Sequence, residues 1–108
     1  MPTVGFLHTE RAHVSFFARL VRDRAPGLTD VHIVDETLLH DLRRRGLDDD
    51  VRRRLGTRLG ELSGRAVDAV VCTCAVLGEE ALRLAESSAP GVPVFSRETF
   101  SPLQLSAY

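Results

Sequence analysis

Four short apolar runs set what this chain can fold into: residues 4–7, 31–34, 67–72 and 92–95. Each is too short for a buried helix, and each is apolar almost throughout rather than alternating with polar residues. A strand that alternates buries one face; a strand that stays apolar buries both, which is the habit of parallel sheets covered by helices. The segments between the runs have helical spacing. Ala12, Phe16 and Leu20 recur with Val14, Phe17 and Val21; Val51, Leu55, Leu59 and Leu62 form a stripe; Leu77, Ala81, Leu84 and Ala85 form another. The order β-α-β-α-β-α-β predicts an α/β fold, a single open sheet of about four parallel strands with helices on both faces.

Stop signals fall between these segments. Ala25-Pro26-Gly27 ends the first helix, Gly64 the long one, and Ala89-Pro90-Gly91 the last. Leu38, Leu39 and Leu42 predict a short helical turn broken at Gly46. Asp48 reads as an N-cap, with Asp49 and Asp50 suited to the first turn that follows. Gly56 and Gly60 weaken that helix by up to about 1 kcal/mol each relative to Ala. Residues 1–95 make one domain, and 96–108 read as a loosely structured tail.

Composition removes several functions. The net charge is -1, so nothing draws the chain toward nucleic acid or an anionic membrane. All 14 basic residues are Arg, which leaves no lysine for a Schiff base or a phosphate loop. The clusters Arg43-Arg44-Arg45 and Arg52-Arg53-Arg54 lie among Asp41 and Asp48 to Asp50, and read as a charged helix face. No apolar run approaches the roughly 20 residues that span a bilayer. The first residues lack the basic start and apolar stretch of a secretory signal, so a cytoplasmic protein is expected. Cys72 and Cys74 are too few and too close for a disulfide scaffold. They also make no standard metal pair, so a Cys-His zinc site drawing on His8 is not expected.

Ligands of open parallel sheets bind at the carboxyl ends of the strands. After the first strand come His8, Thr9 and Glu10; after the second, Asp35 and Glu36; after the third, Thr73, Cys74, Ala75 and Val76. Cys74 is the sharpest of these. It precedes a helix expected to start near Leu77 or Gly78, whose free amides and dipole favour a thiolate and could hold a carboxylate or oxyanion. A small semi-buried filler is the alternative. Cys72, two residues deeper in the strand, reads as packing. His8 reads as an acid or base, or as a hydrogen-bonded structural residue. Thr9 is expected to cap the first helix. Asp35 and Glu36 read as ligand-binding groups or as caps of the next turn, and His13 and His40 as solvated. There is no glycine-rich phosphate loop or dinucleotide fingerprint.

Three segments, Val4-Gly-Phe-Leu-His-Thr, His32-Ile-Val-Asp-Glu-Thr-Leu-Leu and Asp68-Ala-Val-Val-Cys-Thr-Cys-Ala-Val-Leu-Gly, together resemble the aspartate/glutamate racemase superfamily. That superfamily includes hydantoin racemases, maleate isomerases and arylmalonate decarboxylases. The likeness runs from about Val4 to Phe95 and corresponds to the N-terminal, flavodoxin-like half of such an enzyme. It implies a cofactor-independent racemase or isomerase with one cysteine from each of two halves. One thiolate removes the proton next to a carboxylate, and the other thiol returns a proton to the opposite face. Cys74 matches the first-half cysteine and Thr9 a hydroxyl residue lining the cleft. Thr73, Ala75 and Val76 fall in the substrate-binding stretch. The family usually places a small polar residue and a hydroxyl after the cysteine, whereas Ala75 and Val76 offer only backbone N–H groups. The sequence lacks the second-half cysteine and is about half the family length.

Three expectations follow. A homodimer or partner chain supplies the second half-site for a small carboxylate or amino-acid ligand; or the chain is a degenerate relative that binds a small carboxylate without catalysis; or it is an unrelated flavodoxin-like binding module.

Overall fold

The computed structural model of the protein describes residues 2–100. Its elements run β1 (Thr3–His8), α1 (Ala12–Arg24), β2 (Thr29–Val34), α2 (Glu36–Arg45), α3 (Asp49–Ser63), β3 (Ala69–Cys72), α4 (Ala75–Ser88) and β4 (Val94–Ser96). The four strands form one parallel sheet in the order β2-β1-β3-β4. The fold class read from the apolar runs is therefore the one observed.

Chain direction and crossover handedness set the layers. The connection from β1 to β2 moves one way along the sheet, and those from β2 to β3 and from β3 to β4 move the other way. With right-handed crossovers this puts α1 on one face and α2, α3 and α4 on the other. The core divides accordingly. Val4, Phe6, Ala69 and Val71 pack with Phe17 and Val21 of α1. Leu7, Val70 and Cys72 pack with Leu38, Leu42, Val51, Leu55, Leu59, Leu62, Leu77 and Ala81.

Two glycines in this second layer matter for packing. A Cβ on Gly5 would stand 3.0 Å from Leu62 Cδ2 and 3.3 Å from Val67 Cγ1, so its absence lets α3 lie close on β1. A Cβ on Gly60 would stand 3.3 Å from the Ser88 carbonyl oxygen. The helix-weakening glycine thus permits the close approach of α3 and α4.

Several boundaries differ from expectation. Strand β2 starts at Thr29, two residues before the expected run, because the polarity of Thr29 and Asp30 hides its start in a hydropathy reading. The expected short turn after it is a ten-residue helix. Asp35 caps it by accepting from the backbone N–H groups of Thr37 and Leu38 at 3.1 and 3.3 Å, and Leu38 and Leu42 anchor one side. Helix α4 begins at Ala75, two residues before the expected start, because Cys74 with ψ near 120° is already its N-cap. Part of the expected loose tail is ordered: Ser96 belongs to β4, the Thr99 hydroxyl accepts from the Ser96 amide at 3.0 Å, and Phe100 packs edge-on against Phe6 at 5.4 Å. The rest of that tail, 101–108, lies outside the described residues.

The arginine clusters clamp α2 to α3. Arg54 reaches Asp41 at 2.6 Å and Asp50 at 3.1 Å, and Arg45 reaches Asp48 and Asp50 at 3.0 Å. Bonds from Arg45, Arg53 and Arg54 hold the Asp50 carboxyl down to about 2. These pairs are the charged helix face read from the sequence. Among the described residues no helix is long and apolar enough to cross a membrane.

Candidate active site

The sheet order places a switch point between β1 and β3. Chain leaving β1 turns toward β2 and chain leaving β3 turns toward β4; open α/β sheets bind ligands in the crevice that such diverging loops leave at the carboxyl ends of the central strands. Hydrogen bonds extend the ladder to its rim: the Thr73 amide donates to Leu7 O at 3.0 Å and the Asp35 amide to His8 O at 2.9 Å. Thr9 leaves β1 on one side and Cys74 leaves β3 on the other.

Cys74 is the N-cap of α4 and is 6% exposed. The first helical bond runs from the Gly78 amide to the Cys74 carbonyl at 2.9 Å. The amides of Ala75, Val76 and Leu77 therefore lie ahead of the intrahelical ladder, and the Cys74 side chain does not cap them. Ala75 is exposed, and Val76 is 62% exposed at the mouth. This brings a thiol, a group of free donors and the positive end of a helix dipole to one point, an arrangement able to hold an anion.

The other expected residues divide by face. Thr9 is buried at the end of β1. It does not cap α1, whose N-cap is Arg11 with no side-chain capping bond, so its hydroxyl is not committed to the helix as expected. The Thr73 side chain is fully buried on the α1 face, where its hydroxyl meets His8 Nδ1 at 2.8 Å and Leu7 O at 3.2 Å. Cys72 is fully buried, and burial pushes its thiol up to about 12 despite a bond from the Cys74 amide. That agrees with a packing role. Both cysteines are free.

Asp35 proves structural. Burial raises its pKa, but bonds from Thr37 and from Arg58 at 2.9 Å outweigh this and hold the carboxyl below its ordinary value. Glu36 is exposed and pairs with Arg11 at 3.6 Å. His40 is exposed, as expected, but His13 is not a simple surface residue. It sits edge-on to His8 at 6.4 Å, and its Nδ1 is buried without a hydrogen-bond partner among the described residues.

One assembly escaped the sequence reading. His8 Nε2 lies 2.8 Å from His32 Nδ1, and His32 Nε2 lies 2.6 Å from Asp30 Oδ2. Burial first, then the charges of His32 and His13, push His8 down to about 4. The signal was period-two spacing: Asp30 and His32 share one face of β2, and parallel register brings that face beside His8.

One apolar hollow, of about 340 Å³, does not reach Cys74. It lies on the α1 face among His13, Phe16, Phe17, Leu20, Arg97 and Phe100. The switch point is the better candidate because it holds the thiol and the free amides together. Among the described residues no three His, Cys, Asp or Glu side chains are arranged to hold a metal ion. Comparison with protein-family models, with curated proteins and with solved structures finds no match.

Proposed function

We propose that this chain is a half-site of the aspartate/glutamate racemase type, with Cys74 moving a proton at the carbon next to a substrate carboxylate. The observation that carries this reading is the placement of Cys74 as the N-cap of α4, at the switch point across from Thr9. The reaction needs what this point offers. A carbon acid beside a carboxylate is weak, so the base must be shielded from water and the carboxylate held by several donors. Cys74 is nearly buried, and the amides of Ala75 and Val76, both exposed residues at the start of α4, have no side-chain cap. These amides bind the carboxylate, the Thr9 hydroxyl lines the opposite wall, and no cofactor takes part.

Inversion at carbon requires a second acid or base on the opposite face. Cys72 cannot serve, because it is buried beneath the crevice with a thiol that stays protonated at neutral pH. The second group comes from a second copy, related by a two-fold axis that sets two Cys74 thiols across one closed cleft. Two free thiols suit the cytoplasm.

The 6% exposure of Cys74 favours a second reading, in which the amides bind a small carboxylate and the thiol does no chemistry. Proton exchange at Cα of aspartate or glutamate in heavy water, with solution mass taken on the same sample, separates them. The first reading expects a dimer and exchange that disappears in Cys74→Ser. A monomer with no exchange sinks it, and shifts of the Ala75 and Val76 amides on adding a dicarboxylate would then support the second.

A further inference from the structure

On the α1 face, below the crevice, four polar side chains run in one line across three strands. Asp30 Oδ2 and His32 Nε2 are 2.6 Å apart, His32 Nδ1 and His8 Nε2 2.8 Å, and His8 Nδ1 and Thr73 Oγ1 2.8 Å. Thr73 Oγ1 also lies 3.2 Å from the Leu7 carbonyl oxygen. His8 and Thr73 are fully buried, and Phe6 stacks on His8 and His32 at 5.7 and 5.0 Å.

The proton count follows from what each group can do. A carboxylate only accepts, a neutral imidazole donates from one nitrogen and accepts at the other, and a hydroxyl has one proton to give. Asp30 accepts from His32 Nε2–H. His32 Nδ1 is then an acceptor, and His8 Nε2–H donates to it. His8 Nδ1 in turn accepts from the Thr73 hydroxyl. Both rings are neutral and the three side-chain bonds are made, while the Leu7 carbonyl oxygen receives no proton from the Thr73 hydroxyl.

One proton can be added without losing a bond. His8 gains it at Nδ1, and the proton on His8 Nε2 crosses to His32 Nδ1. His32 becomes an imidazolium against the Asp30 carboxylate, while His8 is neutral again as the opposite tautomer. His8 Nδ1–H now donates to Thr73 Oγ1, whose own proton turns to Leu7 O. A second added proton has no such place, because it would set two N–H groups face to face between the rings.

We propose that Asp30, His32, His8 and Thr73 form a one-proton switch, in which charging His32 reverses the His8 tautomer and turns the Thr73 hydroxyl onto the Leu7 carbonyl. That carbonyl already accepts the Thr73 amide at 3.0 Å, so the charged state adds a second bond between β1 and β3, one residue before Cys74. The switch stands whether or not Cys74 does chemistry. The other groups facing it are His13 on α1, 3.4 Å from Glu10, and Arg97, which shares the α1-face hollow with His13. The depression of His8 to about 4 suits a ring that stays neutral while its neighbour carries the charge.

Long-range proton–nitrogen NMR of the imidazoles in the full chain, recorded against pH, tests this. As His32 becomes an imidazolium, His8 is expected to change from Nε2–H to Nδ1–H at the same midpoint without charging. In Asp30→Asn both events should move together to lower pH by about one unit or more. His8 keeping its Nε2–H tautomer while His32 charges, or His8 charging first, overturns the proposal. So does a variant in which only one of the two events moves.

Discussion

Lowering the pH from 7 to 4 should destabilise this protein by an amount that His8 sets. Its imidazole is fully buried, and its pKa lies at about 4 against an ordinary 6.5. A depressed histidine favours the neutral form in the folded state, so its contribution is fully present above pH 6.5. It is lost as the pH falls from 6.5 to 4, where the unfolded chain binds a proton that folded His8 does not. Each pH unit is about 1.4 kcal/mol, and the window totals about 3 kcal/mol. That is a large part of the margin of a small domain. Below about pH 4 both states are protonated and this loss stops. The carboxylates act lower: Asp35 and Asp50 are held below their ordinary values, so their contributions begin to fall only near pH 4. Urea unfolding followed by circular dichroism at pH 7, 5.5 and 4 measures the slope. His8→Gln should be less stable at pH 7 but should lose about one proton of pH dependence in this window. An unchanged slope in that variant would refute the assignment.

Other perturbations test the packing and the site. Gly5→Ala should cost about 1–2 kcal/mol in urea unfolding, because the new methyl presses on Leu62 and Val67; an unchanged midpoint would show that α3 gives way freely. Asp35→Ala should cost about 2 kcal/mol by removing the α2 cap and the partner of Arg58. A loss near zero would return Asp35 to the list of ligand groups. Iodoacetamide at pH 8 should leave Cys72 unmodified in the folded protein, because a thiol pushed up to about 12 has almost no thiolate there. Peptide mass mapping that finds Cys72 modified before unfolding would contradict this.

The architecture was legible because strands buried on both faces must be apolar along their length. Thus β1, β3 and β4 appear in the sequence as runs, and their order with the helices fixes the class. Strand β2 was only half legible: its run reads as 31–34, and the polar Thr29 and Asp30 lie outside it until the sheet pairs them and His32 gives Asp30 a partner. The start of α4 was hidden because an extended cysteine N-cap leaves no signal like the one Asp48 leaves for α3. Cys74 could be singled out from its position after an apolar run, and the sheet order places it at the switch point. Thr73 shows the limit of that reasoning. It is adjacent to Cys74 in sequence, but strand alternation sends its side chain to the opposite face, into the histidine line. His13 was misjudged for a related reason: its ring packs edge-on against His8 of the facing strand and against Phe17 one turn further along α1.

The most direct test of the proposed half-site is the rate of Cα proton exchange of aspartate and glutamate in heavy water, measured across a dilution series. If two Cys74 thiols build one site, exchange per chain falls on dilution as the solution mass falls from dimer to monomer. It vanishes in Cys74→Ser and persists in Cys72→Ala. Exchange that is absent in the wild-type chain at every concentration, or that survives in Cys74→Ser, contradicts the account.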